Sequence, residues 1–333
     1  MTQTTFSGHA AAKSAPPQWE IANSLLRVKL YLPDATRGFY RGTRFDWSGV
    51  VADLQYAGHS YYGEWFTQTD PSVSDFIYQG TDIVAGPCSA ITGPVEEFAP
   101  LQYDETTAGG TFVKIGVGAL RKADNSPYSG YRLYEIVDGG KWNVQTRADA
   151  VEFTQELHDP SSGIGYVYHK KISVIAGEPK MLIEHSLHNT GTRAIETSVY
   201  DHNFLVLDGQ TTGPDFTITF PFALSSDEPP EKQLAELRAN QVVYLKNLQG
   251  QETVYTTLQG FGNSADDYKI RIENATVNAG MIITGDRPLA QVSLWSIRSV
   301  LSVEPFIEIS IQPGSRLTWK YDYEYYALSS LKR

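Results

Sequence analysis

The sequence predicts an all-β protein built of large antiparallel sheets with few short helices. Three observations predict it. Short runs alternate apolar or β-branched residues with polar ones, as in Trp142-Asn143-Val144-Gln145-Thr146 and Ala150 to Leu157, the period of a half-buried strand. Turn signals such as Asp138-Gly139-Gly140, Asp159-Pro160 and Ala176-Gly177-Glu178-Pro179 separate these runs. The composition agrees, because 28 Gly, 20 Tyr and 12% aromatics suit a turn-rich, strand-rich chain better than a helical bundle. Only Asp227 to Asn240 carries helix signals, with acids and prolines leading and helix formers following. There is no internal repeat and no clear linker, so residues 19–333 are expected to form one domain behind a disordered segment, 1–18, rich in Ala, Ser, Thr and Pro.

Charge and composition exclude several function classes. The net charge of −11, from 27 basic and 38 acidic residues that are interspersed, leaves no basic stripe for nucleic acid and disfavours anionic membranes. No window has the length and apolarity of a membrane span or of a signal peptide core. As given, the chain is therefore expected to be cytoplasmic, or periplasmic or secreted if a signal peptide was removed. Cys88 is the only cysteine, so no intrachain disulfide is possible. The glycines of Phe112 to Leu120 lack the Lys-Ser/Thr ending of a phosphate loop, and no cofactor is expected.

Taken in order, Glu20 to Leu32 alternates as an opening strand ended by Pro33-Asp34. Arg37 to Trp47 packs three arginines among four aromatics, a mixture suited to a glycan site, where guanidinium forks bind hydroxyls and rings stack on sugar C–H faces. A surface strand with cation–π pairs fits it as well. His59 to Phe66 is a second aromatic cluster with the same two readings. Gly80 to Leu120 is loop-rich, and Lys141 to Ile183 reads as an antiparallel meander. His158, His169, His185 and His188 lie in or beside its strands without metal-motif spacing, and no metal site is expected. Met181 to Gly209 reads as two strands of a hairpin about Asn189-Thr190-Gly191. Further strands are expected at 216–222, 242–248, 252–258, 268–274, 279–284 and 290–297, with a long closing strand from Ser315 to Tyr326.

The candidate site lies at the end of the central segment. Tyr200-Asp201-His202-Asn203-Phe204 sets an imidazole among a carboxylate, an amide and aromatics, and a histidine so placed is either a proton donor or acceptor or a satisfied group at a sheet rim. The run from His188 to Gly209, with His202-Asn203-Phe204-Leu205 and then Asp208-Gly209, resembles the central segment of the aldose 1-epimerase (galactose mutarotase) family. So do Ser302-Val303-Glu304-Pro305 and the later turn Gln312-Pro313-Gly314-Ser315. The resemblance implies a galactose mutarotase-like β-super-sandwich, a saccharide substrate and anomer interconversion. It makes His202 the general acid and Glu304 the base, with Arg44, Asp201, Asn203, Trp295, Arg298 and His59 as substrate contacts. Glu308 shares the face parity of Glu304 and is the alternative carboxylate. The family's Asn-x-Leu-His-Gly-Gly element, which supplies a second active-site histidine, is not found; His59 or polar residues near Glu97 and Arg121 are candidates for its place. Two other readings stand beside this one: a polysaccharide lyase or glycoside-cleaving enzyme on an acidic glycan, and a non-catalytic carbohydrate-binding protein.

Overall fold

The structure, a computed structural model, describes residues 15–328. Most of the segment expected to be disordered lies outside the described residues, but its last residue, Gln18, already pairs with Tyr31. The described chain forms 25 strands and two single 3-10 turns, at Leu207–Gly209 and Ala265–Asp267. None of its helices is long and apolar enough to cross a membrane. A ten-stranded sheet runs from Lys141–Thr146 at one edge to Ala235–Arg238 at the other, and a five-stranded sheet has Val300–Ile311 at its centre. Three smaller sheets complete the fold.

The two large sheets share one core. Val199, Leu294 and Val303 of the five-stranded sheet are buried with Ile172, Ile183, Ile283 and Tyr323 of the ten-stranded one, and each aliphatic side chain so buried contributes about 1.5–3 kcal/mol. The other face of the five-stranded sheet carries a second core, with Phe45, Val95, Phe112, Leu120, Phe204 and Ile297. The segment Arg37 to Trp47 forms no strand but covers this second face, with Tyr40, Phe45 and Trp47 buried in it. The five-stranded sheet is thus packed on both sides, and its second face positions the site.

The meander from Lys141 to Asn189 is observed as four consecutively paired strands. Three other expectations are corrected. The opening strand is two, Gln18–Ala22 and Leu26–Tyr31, because Asn23 Oδ1 accepts from the amides of Leu25 and Leu26 and folds the chain back there. The helix expected over 227–240 is absent. Pro229 and Pro230 lack amide donors, and Ala235–Arg238 instead pairs with Gln241–Tyr244 at the sheet edge, where burial of Leu234 and Ala235 outweighs helix propensity.

The third correction concerns Met181 to Gly209. Lys180–Asn189 belongs to the ten-stranded sheet and Ile195–His202 to the five-stranded one, so Asn189-Thr190-Gly191 turns a corner between layers instead of closing a hairpin. Asn189 fixes that corner. Its Nδ2 donates to the carbonyls of Arg193 and Ile311, and its Oδ1 accepts from the Gly191 amide.

Candidate active site

Strand alternation sorts neighbouring residues of the five-stranded sheet onto its two faces. On Ile195–His202, Asp201 points into the core between the large sheets and His202 points away from it. On Val95–Phe98, Glu96 and Glu97 divide in the same way. Antiparallel pairing then sets Tyr200 opposite Glu97 on one side and Phe306 on the other, and Trp295 opposite Ser302 with Ser293 opposite Glu304. His202, Tyr200, Glu97, Ser302, Glu304 and Trp295 consequently gather on one face from four strands.

At its centre, His202 Nε2 lies 3.2 Å from Glu304 Oε1, and His202 Nδ1 lies 2.8 Å from Ser302 Oγ. The imidazole stacks flat on Phe204, with ring centroids 3.6 Å apart and an interplanar angle of 4°, and meets Phe45 and Trp295 edge-on. Desolvation in this aromatic setting, reinforced by the Arg44 charge, pushes the His202 pKa well below its ordinary value. Desolvation pushes Glu304 up to about 8, against the opposing pull of Arg44. Both shifts favour the uncharged forms, a protonated Glu304 carboxyl beside a neutral imidazole, and Nδ1 shares a hydrogen bond with the Ser302 hydroxyl whose direction is set by the ring tautomer. With the ring proton on Nδ1 the Ser302 hydroxyl accepts the hydrogen bond, and with it on Nε2 the hydroxyl donates to Nδ1. A hydroxyl serves both tautomers because it donates and accepts.

Arg44 closes one side. Its Nε donates to Glu97 Oε2 at 2.7 Å and its Nη2 to Tyr200 Oη at 3.1 Å, while Tyr200 donates to the same Glu97 oxygen at 2.6 Å. Lys114 Nζ lies 3.4 Å from the other Glu97 oxygen. Burial opposes ionisation of Glu97, but Arg44 and Lys114 hold its pKa below the usual value. The Arg44 guanidinium also lies over the rings of Phe45 and Tyr131. Arg44 and Tyr131, with His202 and Glu304, border an open recess with about 500 Å³ of empty space. Trp65, Phe76 and Trp295 form its aromatic wall. Asp75 also lines it, raised by burial and held by Ser89 Oγ at 2.6 Å.

Of the residues singled out from the sequence, the structure brings His202, Glu304, Arg44 and Trp295 together at this recess. The others are elsewhere. Asp201 and Asn203 face the core, where Tyr323 Oη donates to Asn203 Oδ1 at 2.8 Å and lies 3.2 Å from Asp201 Oδ2, and Asn203 Nδ2 donates to the Val303 carbonyl. His59 pairs with Asp208 at 2.7 Å and does not line the recess. Arg298 is spent on the carbonyls of Gly250 and Thr81 and lies over Tyr78. Glu308 is exposed opposite Ser198, separated along its strand from Glu304 by Phe306, which stacks on Tyr200. Arg121 pairs with Glu135. Of the residues considered for the place of the missing histidine, Glu97 stands beside the recess, paired with Arg44. Among the described residues no group of three or more His, Cys, Asp or Glu is placed to hold a metal.

A buried polar cluster backs the sheet from the core side. Lys170 Nζ pairs with Glu96 Oε2, donates to the Ser48 carbonyl at 2.9 Å and lies 3.6 Å from Asp46 Oδ2. His185 Nε2 lies 2.7 Å from the second Glu96 oxygen. Burial works against the charge on Glu96, but Lys170 and His185 hold its pKa low, whereas burial pushes Asp46 and Asp201 up. Gly116 admits Asp46: its φ is +78°, and a Cβ there would fall 2.4 Å from Asp46 Oδ1.

Sequence reasoning passed over Ser302, Tyr200, Phe204, Asp75 and Tyr131 as site residues and did not assign Glu97. Ser302 and Tyr200 have the face parity of Glu304 and His202, so strand alternation was a usable signal for both. Asp75 and Tyr131 stand on irregular segments, where no periodicity points.

No protein-family model and no curated protein matches the sequence. Solved structures do match its fold. A protein from Synechocystis is 12% identical with a TM-score of 0.56, covering 97% of this chain and 100% of its own. A galactose mutarotase related enzyme from Lactobacillus acidophilus is 10% identical with a TM-score of 0.55, covering 94% and 98%. An aldose epimerase homologue from C. elegans is 12% identical with a TM-score of 0.54, covering 95% and 100%. The likeness runs nearly end to end, and the chain has the galactose mutarotase-like fold, carried by a sequence far diverged from these structures.

Proposed function

We propose that the protein binds a saccharide in the His202–Glu304 recess and interconverts its anomers by paired proton transfer. The observation that carries this reading is the direct contact of a proton donor and a proton acceptor, 3.2 Å apart, in a recess walled by aromatic rings. Ring opening at an anomeric carbon moves one proton off the exocyclic oxygen and one onto the ring oxygen. Both oxygens sit on the same carbon, so the two groups that serve them must be neighbours. Each positioned transfer contributes about 10²–10⁴-fold.

The protons balance within the pair. Starting from the neutral state, His202 Nε2 takes the hydroxyl proton and Glu304 gives its proton to the ring oxygen; the C–O ring bond breaks and the aldehyde forms. The pair is then imidazolium and carboxylate. After rotation of the open aldehyde, His202 returns a proton to the carbonyl oxygen as the ring closes, and Glu304 takes one from the closing hydroxyl. The resemblance implies the opposite assignment for ring opening, with Glu304 as base to the anomeric hydroxyl and His202 as acid to the ring oxygen; that route starts from carboxylate and imidazolium, which hold the same two protons. Arg44, already paired with Glu97, and Asp75 supply polar contacts, and Trp65, Phe76 and Trp295 supply stacking surface. The pairing of Arg44 weighs against a lyase that would need its charge for a uronate.

The test is exchange NMR of anomeric protons over a panel of aldoses, with wild type, His202→Ala and Glu304→Gln. Both variants are expected to lose at least about 10²-fold in exchange rate while remaining folded. Exchange unchanged in either variant overturns the pair. Saccharide binding without exchange in the wild type makes the protein a binding module instead.

A further inference from the structure

The recess does not end at Tyr131. That ring, 44% exposed, is a wall common to the recess and to a second hollow of about 560 Å³, bordered by Ser74, Pro87, Ser129, Arg132 and Leu133. Pro71, Pro87 and Leu133 are shared in turn with a third hollow of about 1000 Å³, which reaches Phe39, Arg41 and Asp70. The three are neighbours in series, linked by these shared side chains. Leu133 is 55% exposed and stands with Tyr131 among the large apolar side chains that the fold leaves in solvent. Exposed apolar residues grouped along a groove mark a binding surface more often than scattered ones do.

The lining matches linked sugar rings. Tyr131, Leu133 and Phe39 offer flat or apolar surface for C–H faces. Between them stand hydrogen-bonding groups: the Ser129 hydroxyl, the Asp70 carboxylate, and Arg41, of which one nitrogen is used on the Thr36 carbonyl. Arg132 has both terminal nitrogens on Asp124, so the trail carries no unmatched strip of positive charge and suits a neutral chain. We infer that the substrate is an oligosaccharide whose reducing-end ring enters the His202–Glu304 recess while its following rings run over Tyr131 and Leu133 towards Arg41. This rests on the saccharide reading given above.

The experiment uses cello-, malto- and β-galacto-oligosaccharides of one to four rings, measured for anomer exchange and, by titration, for binding, with wild type and Leu133→Asp. Leu133 is solvent-facing, and thermal unfolding checks that the variant is folded. For the series that fits, kcat/KM is expected to rise at least tenfold from one ring to three, and Leu133→Asp to remove that gain while leaving the single ring unchanged. Exchange that does not depend on length, or a gain that survives in Leu133→Asp, overturns the groove and leaves the anomer reading intact. Length-dependent binding that Leu133→Asp abolishes, with no exchange for any sugar, supports the groove and sinks the anomer reading. Absence of both binding and exchange across the series overturns both.

Discussion

Ser302 Oγ sits 2.8 Å from His202 Nδ1, at the ring nitrogen opposite the one that faces Glu304. The hydroxyl accepts a hydrogen bond when the imidazole is protonated at Nδ1 and donates one when it is protonated at Nε2, so it can follow the ring through either tautomer. Ser302→Ala leaves Nδ1 buried without that partner, at a cost of about 1–3 kcal/mol. Anomer exchange is expected to slow roughly tenfold to hundredfold, with Ser302→Thr retaining more of the rate. Equal rates in the alanine variant and wild type would show that Ser302 plays no part in setting the ring.

In the proposed mechanism two protons on the pair define the working state, which gives exchange a definite pH dependence. With Glu304 raised to about 8 and His202 well below its ordinary value, kcat/KM is expected to stay level through neutrality and fall as pH rises through about 8. A rate that climbs across that range instead would mean that the ionised carboxylate with a neutral imidazole is the active form.

Linkage carries the same group into stability. Glu304 binds its proton more tightly in the folded chain than in the unfolded one, where its ordinary value is 4.5. Its contribution is fully present below about pH 4.5 and is lost as pH rises through about 8. Glu304→Gln, which removes the charge, is expected to gain on the order of 2–4 kcal/mol relative to wild type between acid and alkaline solution. Denaturant midpoints at pH 5 and pH 9 test this, and an identical difference at both would refute a raised carboxyl.

Lys170 is the cation common to Glu96 and Asp46, all three being buried. Lys170→Met removes it and leaves the carboxyl groups in the core. A loss of about 3–5 kcal/mol is expected, read as a lower denaturant midpoint at unchanged slope. A loss below about 1 kcal/mol would indicate that the cluster is neutral in the folded protein.

Legibility from sequence followed periodicity. The meander from Lys141 onward and the closing strand, observed as Arg316–Ala327, were readable because one face of each is buried and the alternation is clean. Tertiary choices were not readable. Asn189-Thr190-Gly191 has hairpin residues, yet the chain leaves its sheet there, because local turn chemistry does not specify which sheet receives the next strand. The segment 227–240 had the composition of a helix, yet its one regular element is the edge strand Ala235–Arg238. At the site, His202, Glu304, Arg44 and Trp295 were named from the sequence, whereas Asp201, Asn203, His59 and Arg298 took structural partners. Asp201 and Asn203 alternate away from His202, and strand parity alone separates them from the recess.

That alternation has a consequence for how the chain avoids misfolding. A one-residue slip of Ile195–His202 would carry the imidazole into the dry interior beside Lys170 and expose the Asp201 carboxyl to the recess; a slip of Val95–Phe98 would exchange Glu96 for Glu97 in the same way. Each error misplaces two ionisable groups at once, and neither is corrected by the other strand staying in place. The interior cluster thus favours the register that assembles the recess face, and a substitution at Glu96 or Asp201 is expected to loosen that face without touching it.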